Sequence, residues 1–110
     1  MHEKNTEQKK NLGLDIGCGD SKHPGFIGVD VRRTSSVDLI ADAYMLPFKD
    51  KSFGHVYSSH LIEHFSHKVI REVLREWVRI LRKGGIIEIR CPDLRARALF
   101  CFLNPTWKNI

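Results

Sequence analysis

The sequence predicts an α/β domain built on a mostly parallel sheet with helical cover. Three observations predict it: short apolar runs separated by turns, one long amphipathic segment late in the chain, and a further apolar run directly after it. Length sets the scale. A chain of 110 residues, 42% apolar and 28% charged, suits one globular domain and argues against disorder or fibrous repeats. A domain of this size buries roughly two-thirds of its unfolded surface, enough for one modest core. No run approaches the ~18 apolar residues of a membrane span, and the polar start is unlike a secretory signal. Cys18, Cys91 and Cys101 are too few and too scattered for a disulfide scaffold or a zinc cluster. A reduced, cytoplasmic setting with no membrane partner and no metal is the expectation.

Residues 1–10 are polar and aperiodic, so they are expected to form a disordered tail ahead of a single domain over 11–110. Strands are expected at residues 12–16, 26–31, 37–41, 55–58 and 86–91, the last opening with Ile86, Ile87 and Ile89 after the Gly84-Gly85 break. The third is the weakest, since Asp38 and Ala41 are poor strand formers. Residues 66–83 read as a helix. Val69, Ile70, Val73, Leu74, Trp77, Ile80 and Leu81 share one side, and Lys68, Arg71, Glu72, Arg75, Glu76, Arg79, Arg82 and Lys83 fill the other. Ser66 caps its start and Gly84 stops it. This segment carries six cations against two acids, which supplies most of the net charge of +5. No aromatic is interleaved among those cations, so the expectation is a solvated outer face, and nucleic acid is not expected as a partner.

The most informative stretch is Leu14-Asp15-Ile16-Gly17-Cys18-Gly19. Two glycines at alternate positions after an apolar strand let the backbone turn sharply and approach a ligand with no side chain between them. Asp30 ends the next apolar run, where a carboxylate can accept from both hydroxyls of a ribose. Bare backbone on one strand end and a carboxylate on the neighbouring one suit a nucleoside. A dinucleotide site wants a third glycine and a helix N-terminus facing the pyrophosphate. Here Lys22 takes that glycine position, and the link to the next strand is too short for a crossover helix. A ribose without phosphates fits better.

At this point the chain resembles a known family. Leu14 to Gly19, Gly28-Val29-Asp30, Ala41-Asp42-Ala43-Tyr44-Met45-Leu46-Pro47-Phe48, the stretch from Ser52 to His64, and Arg79-Ile80-Leu81-Arg82-Lys83-Gly84-Gly85 occur in the order seen in class I S-adenosylmethionine-dependent methyltransferases. The short Pro24-Gly25-Phe26 link is similar to type 11 members with an abbreviated first crossover. The resemblance implies a Rossmann-like sheet of order 3-2-1-4-5, with S-adenosylmethionine as cofactor and methyl transfer to an unidentified acceptor. By the same resemblance, Gly17 and Gly19 pass under the methionine moiety around Cys18, and Asp15 lies near its amino group. Asp30 holds the ribose hydroxyls, Val31 lies against the adenine, Asp42 accepts from the adenine amine beside Ala43, and Ser58 and Ser59 line the methyl side.

The family's sheet has closing strands for which this chain has no apparent counterpart, and Ser21 stands where the loop's third glycine usually falls. The alternative reading is therefore a non-catalytic cofactor-binding or scaffolding subunit that needs a partner. Pro92-Asp93 is expected to end the fifth strand and open a short helix over 94–103, with Trp107 and Ile110 on a tail. That leaves the fifth strand as an open edge, to be covered by residues 94–110 or by a second copy in a homodimer. His60-Leu61-Ile62-Glu63-His64 matches a zinc-peptidase pattern, but no third ligand is in prospect. His64 is instead the candidate general base beside the methyl donor.

Overall fold

The computed structural model describes residues 12–91 and the backbone of the strand Leu94–Leu99. β1 (Gly13–Ile16) is buried along its whole length, as its apolar sequence requires of a central strand. β2 (Ile27–Asp30) and β3 (Leu39–Ile40) add on one side; β4 (Phe53–Ser59) and β5 (Leu81–Cys91) add on the other. These five strands are parallel in the order 3-2-1-4-5, as expected. The winding reverses at β1, which pairs with both β2 and β4, and such a switch point is where ligands bind in parallel sheets. No helix intervenes between β1 and β2.

Register sorts the side chains. Leu14 lies opposite Ile27 and Val56, Ile16 opposite Val29, and Val56 opposite Ile87, so these share one face. They join Val73, Trp77, Val78 and Ile80 of the helix α1 (His67–Ile80) in a single buried core. Each such side chain removed from water contributes about 1.5–3 kcal/mol. Asp15, Tyr57 and Glu88 face the other way, where the β1–β2 link supplies cover. There the Phe26 ring lies on Gly13 so closely that an added Cβ would meet a ring carbon at 2.4 Å.

The helix begins as expected, with the Ser66 hydroxyl accepting from the Val69 amide. It stops at Ile80 rather than at 83, because Leu81 is already extended, fully buried and paired with Phe53. The register then shifts between Phe53 and His55 and resumes at Ile86, the chain turning at Gly84 with φ +79°. The outer face of α1 also departs from the solvated expectation in one place. Arg79 donates to the carbonyls of Leu46 and Phe48 and pairs with Glu76 and Asp50, while Glu76 accepts from the Leu46 amide. The Arg79 bonds hold the Glu76 carboxyl below its ordinary range, and Glu76 in turn raises Arg79.

The expected helix over 94–103 is overturned where the chain is described. β6 (Leu94–Leu99) runs antiparallel to β5, from Cys91 opposite Leu94 to Ile86 opposite Leu99. An exposed row of amides and carbonyls on β5 is a stronger attraction than the helical pattern of six residues, and an antiparallel return needs only a tight turn. The fifth-strand edge is thus taken by this chain and is not open to a second copy. Residues 1–11 and 100–110, with the expected tail and Trp107, lie outside the described residues. Among the described residues, no helix is long and apolar enough to cross a membrane.

Candidate active site

The loop after β1 is built by its two glycines. Gly17 (φ +74°) and Gly19 (φ +58°) both adopt left-handed backbone that a side chain disfavours. The turn lets the amides of Gly17 and Cys18 donate together to the Val29 carbonyl, at 2.7 and 3.1 Å. Cys18 is buried against Gly28, where an added Cβ would meet its sulfur at 2.9 Å. Burial first, then the charges of Asp15 and Asp30, push its thiol up to about 11. Cys18 therefore packs, and offers a ligand its backbone.

Asp30 meets this loop directly: its Oδ2 accepts from the Gly19 amide at 2.9 Å and its Oδ1 from the Arg32 amide at 3.0 Å. Thr34 clamps the other side by donating to the Gly19 carbonyl at 2.6 Å. Asp15 is almost fully buried and accepts from the His23 amide at 2.8 Å. Burial raises its pKa, and the His23 bond opposes the rise. Behind the loop, Asp38 accepts from the Gly28 amide and the Lys22 ammonium, which hold its carboxyl below the ordinary range.

A cleft of about 490 Å³ opens at this point. Asp15, Gly17, Cys18 and the Lys22-His23 pair line one wall. Tyr57, Ser59, His60 and Arg90, from the ends of β4 and β5, line the other. His23 stacks on Phe26 with centroids 4.4 Å apart and meets the Tyr57 ring edgewise at 4.9 Å. The Arg90 guanidinium lies 5.6 Å from the Tyr57 centroid. His60 holds φ +57°, a strained conformation for a histidine, and its amide donates to the Arg90 carbonyl at 2.7 Å.

The structure therefore brings Asp15, Gly17, Cys18 and Ser59 to the cleft, with Gly19 and Asp30 bonded at its edge. Val31 follows Asp30 and is 60% exposed, an apolar surface beside the carboxylate. The end of β3 is tied to the same place by the Ala41 amide on the Asp30 carbonyl, leaving Asp42 exposed next to it. Ala43 is buried, its carbonyl taken by the Trp77 indole at 3.0 Å. Ser58 is not brought in. It is fully buried on the helix-covered face, paired in register with Ile89, and its hydroxyl has no hydrogen-bond partner among the described residues. His64 sits exposed in a 3₁₀ turn (Ile62–His64) and does not line the cleft, whereas His60 does. Lys22, His23, Tyr57, His60 and Arg90 were not anticipated. The signal was available for some of them: Tyr57, Ser59, Glu88 and Arg90 are the polar alternates of strands whose other positions are core.

A cleft at the switch point of a parallel sheet, with bare backbone on one strand end and a carboxylate on the next, defines a nucleoside-binding α/β domain. The chain belongs to the type 11 methyltransferase domain family, which matches residues 24–89. It is 34% identical over 93 residues to a tRNA (carboxymethyluridine(34)-5-O)-methyltransferase of Xenopus tropicalis, covering 70% of this chain and 15% of that protein. The enzyme of the same name from Saccharomyces cerevisiae is 31% identical over 104 residues, covering 78% and 37%. The chain thus spans well under half of either relative. Among solved structures, a S-adenosylmethionine-dependent methyltransferase of Thermotoga maritima, a possible histamine N-methyltransferase, superposes with a TM-score of 0.58 at 28% identity, covering 71% of this chain and 42% of that one.

S-adenosylmethionine is the cofactor that this membership implies, and the residues fit it. An added Cβ at Gly19 would meet nothing within 4 Å, so the space over the turn is open. No helix follows the loop to hold a pyrophosphate. The names of both curated relatives run against the expectation that nucleic acid is no partner.

Proposed function

We propose that this chain transfers a methyl group from S-adenosylmethionine to RNA, with transfer RNA as the substrate class. The observation that carries the reading is the 2.9 Å bond from the Gly19 amide to Asp30, which holds the bare turn and the carboxylate at one rim of the sheet. In this reading the Gly17–Gly19 backbone runs beneath the methionine moiety, and Asp15 receives its amino group. Asp30 takes the ribose hydroxyls through the lone pairs that its two amide donors leave over. Val31 covers the adenine, and Asp42, beside Ala43, accepts from its amine. Ser59 lines the methyl side. The relatives' names support RNA as acceptor, and the cations of the cleft suit a polyanion.

When bound, the cofactor supplies an activated methyl on a sulfonium, so little acid–base chemistry falls to the protein. What remains is alignment of acceptor with methyl, and exclusion of water. The Tyr57, His23 and Phe26 rings supply an apolar wall for that purpose. The test is incubation of the full chain with methyl-labelled S-adenosylmethionine and, separately, bulk transfer RNA, DNA and protein. Label that enters RNA and is released by ribonuclease is the expected result. Tight cofactor binding with no label in any fraction would favour the non-catalytic subunit, and no cofactor binding would overturn both.

A further inference from the structure

We infer that Arg90 is the residue that selects the acceptor, by holding a carboxylate that itself attacks the methyl group; the inference rests on the methyl-transfer reading above. The cleft is lopsided in charge. Lys22, His23, His60 and Arg90 line it against the single acid Asp15, which is buried and bonded to the His23 amide. Lys22 is already paired with Asp38 at 2.8 Å. Arg90 is not comparably engaged. Its Nε is buried with no hydrogen-bond partner among the described residues, and its one ion pair there, Nη2 to Glu88, is a long 3.4 Å. Glu88 also meets His55 Nε2 at 3.2 Å. An arginine at the mouth of a cleft with donors to spare, braced over the Tyr57 ring, is preorganised for a planar anion. Carboxylates match the guanidinium fork in a bidentate way.

The chemistry of the walls agrees. A carboxylate is already ionised at neutral pH and needs no base. An amine or hydroxyl acceptor would gain nothing from Arg90 and would need its proton removed. His64 lies outside the cleft, and His60 faces Glu63 at 3.8 Å. In the step proposed, one carboxylate oxygen forms a bond to the methyl carbon while the carbon–sulfur bond breaks. The electron pair of that bond stays on sulfur, which becomes the neutral thioether, and no proton moves. The ester product has lost the charge that Arg90 held, so the same residue that selects the acceptor lets the product go.

The test compares two stem-loop oligonucleotides of the same sequence, one carrying 5-carboxymethyluridine in its loop and one the 5-carbamoylmethyl amide. Binding of each to the full chain is measured in the presence of S-adenosylhomocysteine. The wild type should prefer the acid by about tenfold or more, the worth of one charge-assisted pair. Arg90→Gln should bring that ratio close to one with cofactor affinity unchanged, and Arg90→Lys should restore part of it. A wild-type ratio of one, or an unchanged ratio in Arg90→Gln, overturns the inference. Equal weakening of both oligonucleotides would assign Arg90 to backbone phosphate, and a loss of cofactor affinity would assign it to the cofactor's own carboxylate; either also overturns it. Should Arg90→Gln not fold, the Arg90→Lys ratio decides. Failure of the wild type to bind S-adenosylmethionine would instead strike the underlying methyltransferase reading.

Discussion

The two faces of this sheet are cut from the same strands and differ in almost everything else. On the helix-covered face, Leu14, Val29 and Val56 are fully buried and Ile16 and Ile87 nearly so, all closed over by Trp77 and Val73. On the cleft face, alternate residues of the same strands are Asp15, Tyr57, Glu88 and Arg90. The period of two lets one strand serve both purposes, since neighbouring residues point to opposite sides. What the contrast teaches is that stability and binding should respond to different substitutions, sometimes one residue apart.

Trp77→Ala should break the comparison most severely. It empties the largest fully buried site and frees the Ala43 carbonyl, so stability should fall by about 3–5 kcal/mol in urea unfolding. Gly17→Ala comes next, at about 1–3 kcal/mol, because it meets both an unfavourable φ and the Leu61 side chain at 2.8 Å. Glu76→Gln should cost about 1–2 kcal/mol at neutral pH by weakening the bonds to Arg79 and the Leu46 amide. The folded Glu76 carboxyl titrates below its ordinary 4.5, so its contribution is present above that value. The gap between wild type and Glu76→Gln should therefore close as pH falls below about 4.5 and through the folded value.

Gly19→Ala is the smallest of these in stability, about 1 kcal/mol, since φ is unfavourable but nothing lies within 4 Å. Its effect on S-adenosylmethionine affinity should exceed that of Gly17→Ala, because the new methyl enters the open side of the turn. Asp15→Asn sharpens the contrast with Glu76. Burial raises the folded Asp15 pKa above its ordinary 3.8, so the charge opposes folding once pH rises through the folded value. The variant should match or exceed wild-type thermal stability at neutral pH while binding cofactor more weakly, the usual exchange at a functional site.

The strand order, the capped start of α1 and the pairing of Gly19 with Asp30 were legible because each rests on local pattern: apolar runs, a serine cap, glycines after a strand. The end of α1 was not, since Leu81 suits the helix pattern and tertiary pairing with Phe53 decides otherwise. Leu94, Ala98 and Leu99 read as a helical face, yet the ladder to β5 holds them extended. Arg90 and Tyr57 went unnoticed for a different reason. Their strands were read as apolar runs, and only the register shows that their polar alternates converge on one cleft. Ser58 was misplaced by the same one-residue ambiguity: it is Ser59 that faces the cleft.

The central claim is that the Gly17–Gly19 turn and the Asp30 carboxylate together grip a phosphate-free adenosine. Calorimetric titration of wild type and Asp30→Ala with S-adenosylmethionine tests it most directly. The account predicts saturable one-site binding by the wild type and a loss of about 1–3 kcal/mol in the variant, the cost of unpaired ribose hydroxyls. Equal affinity in the two proteins would contradict it.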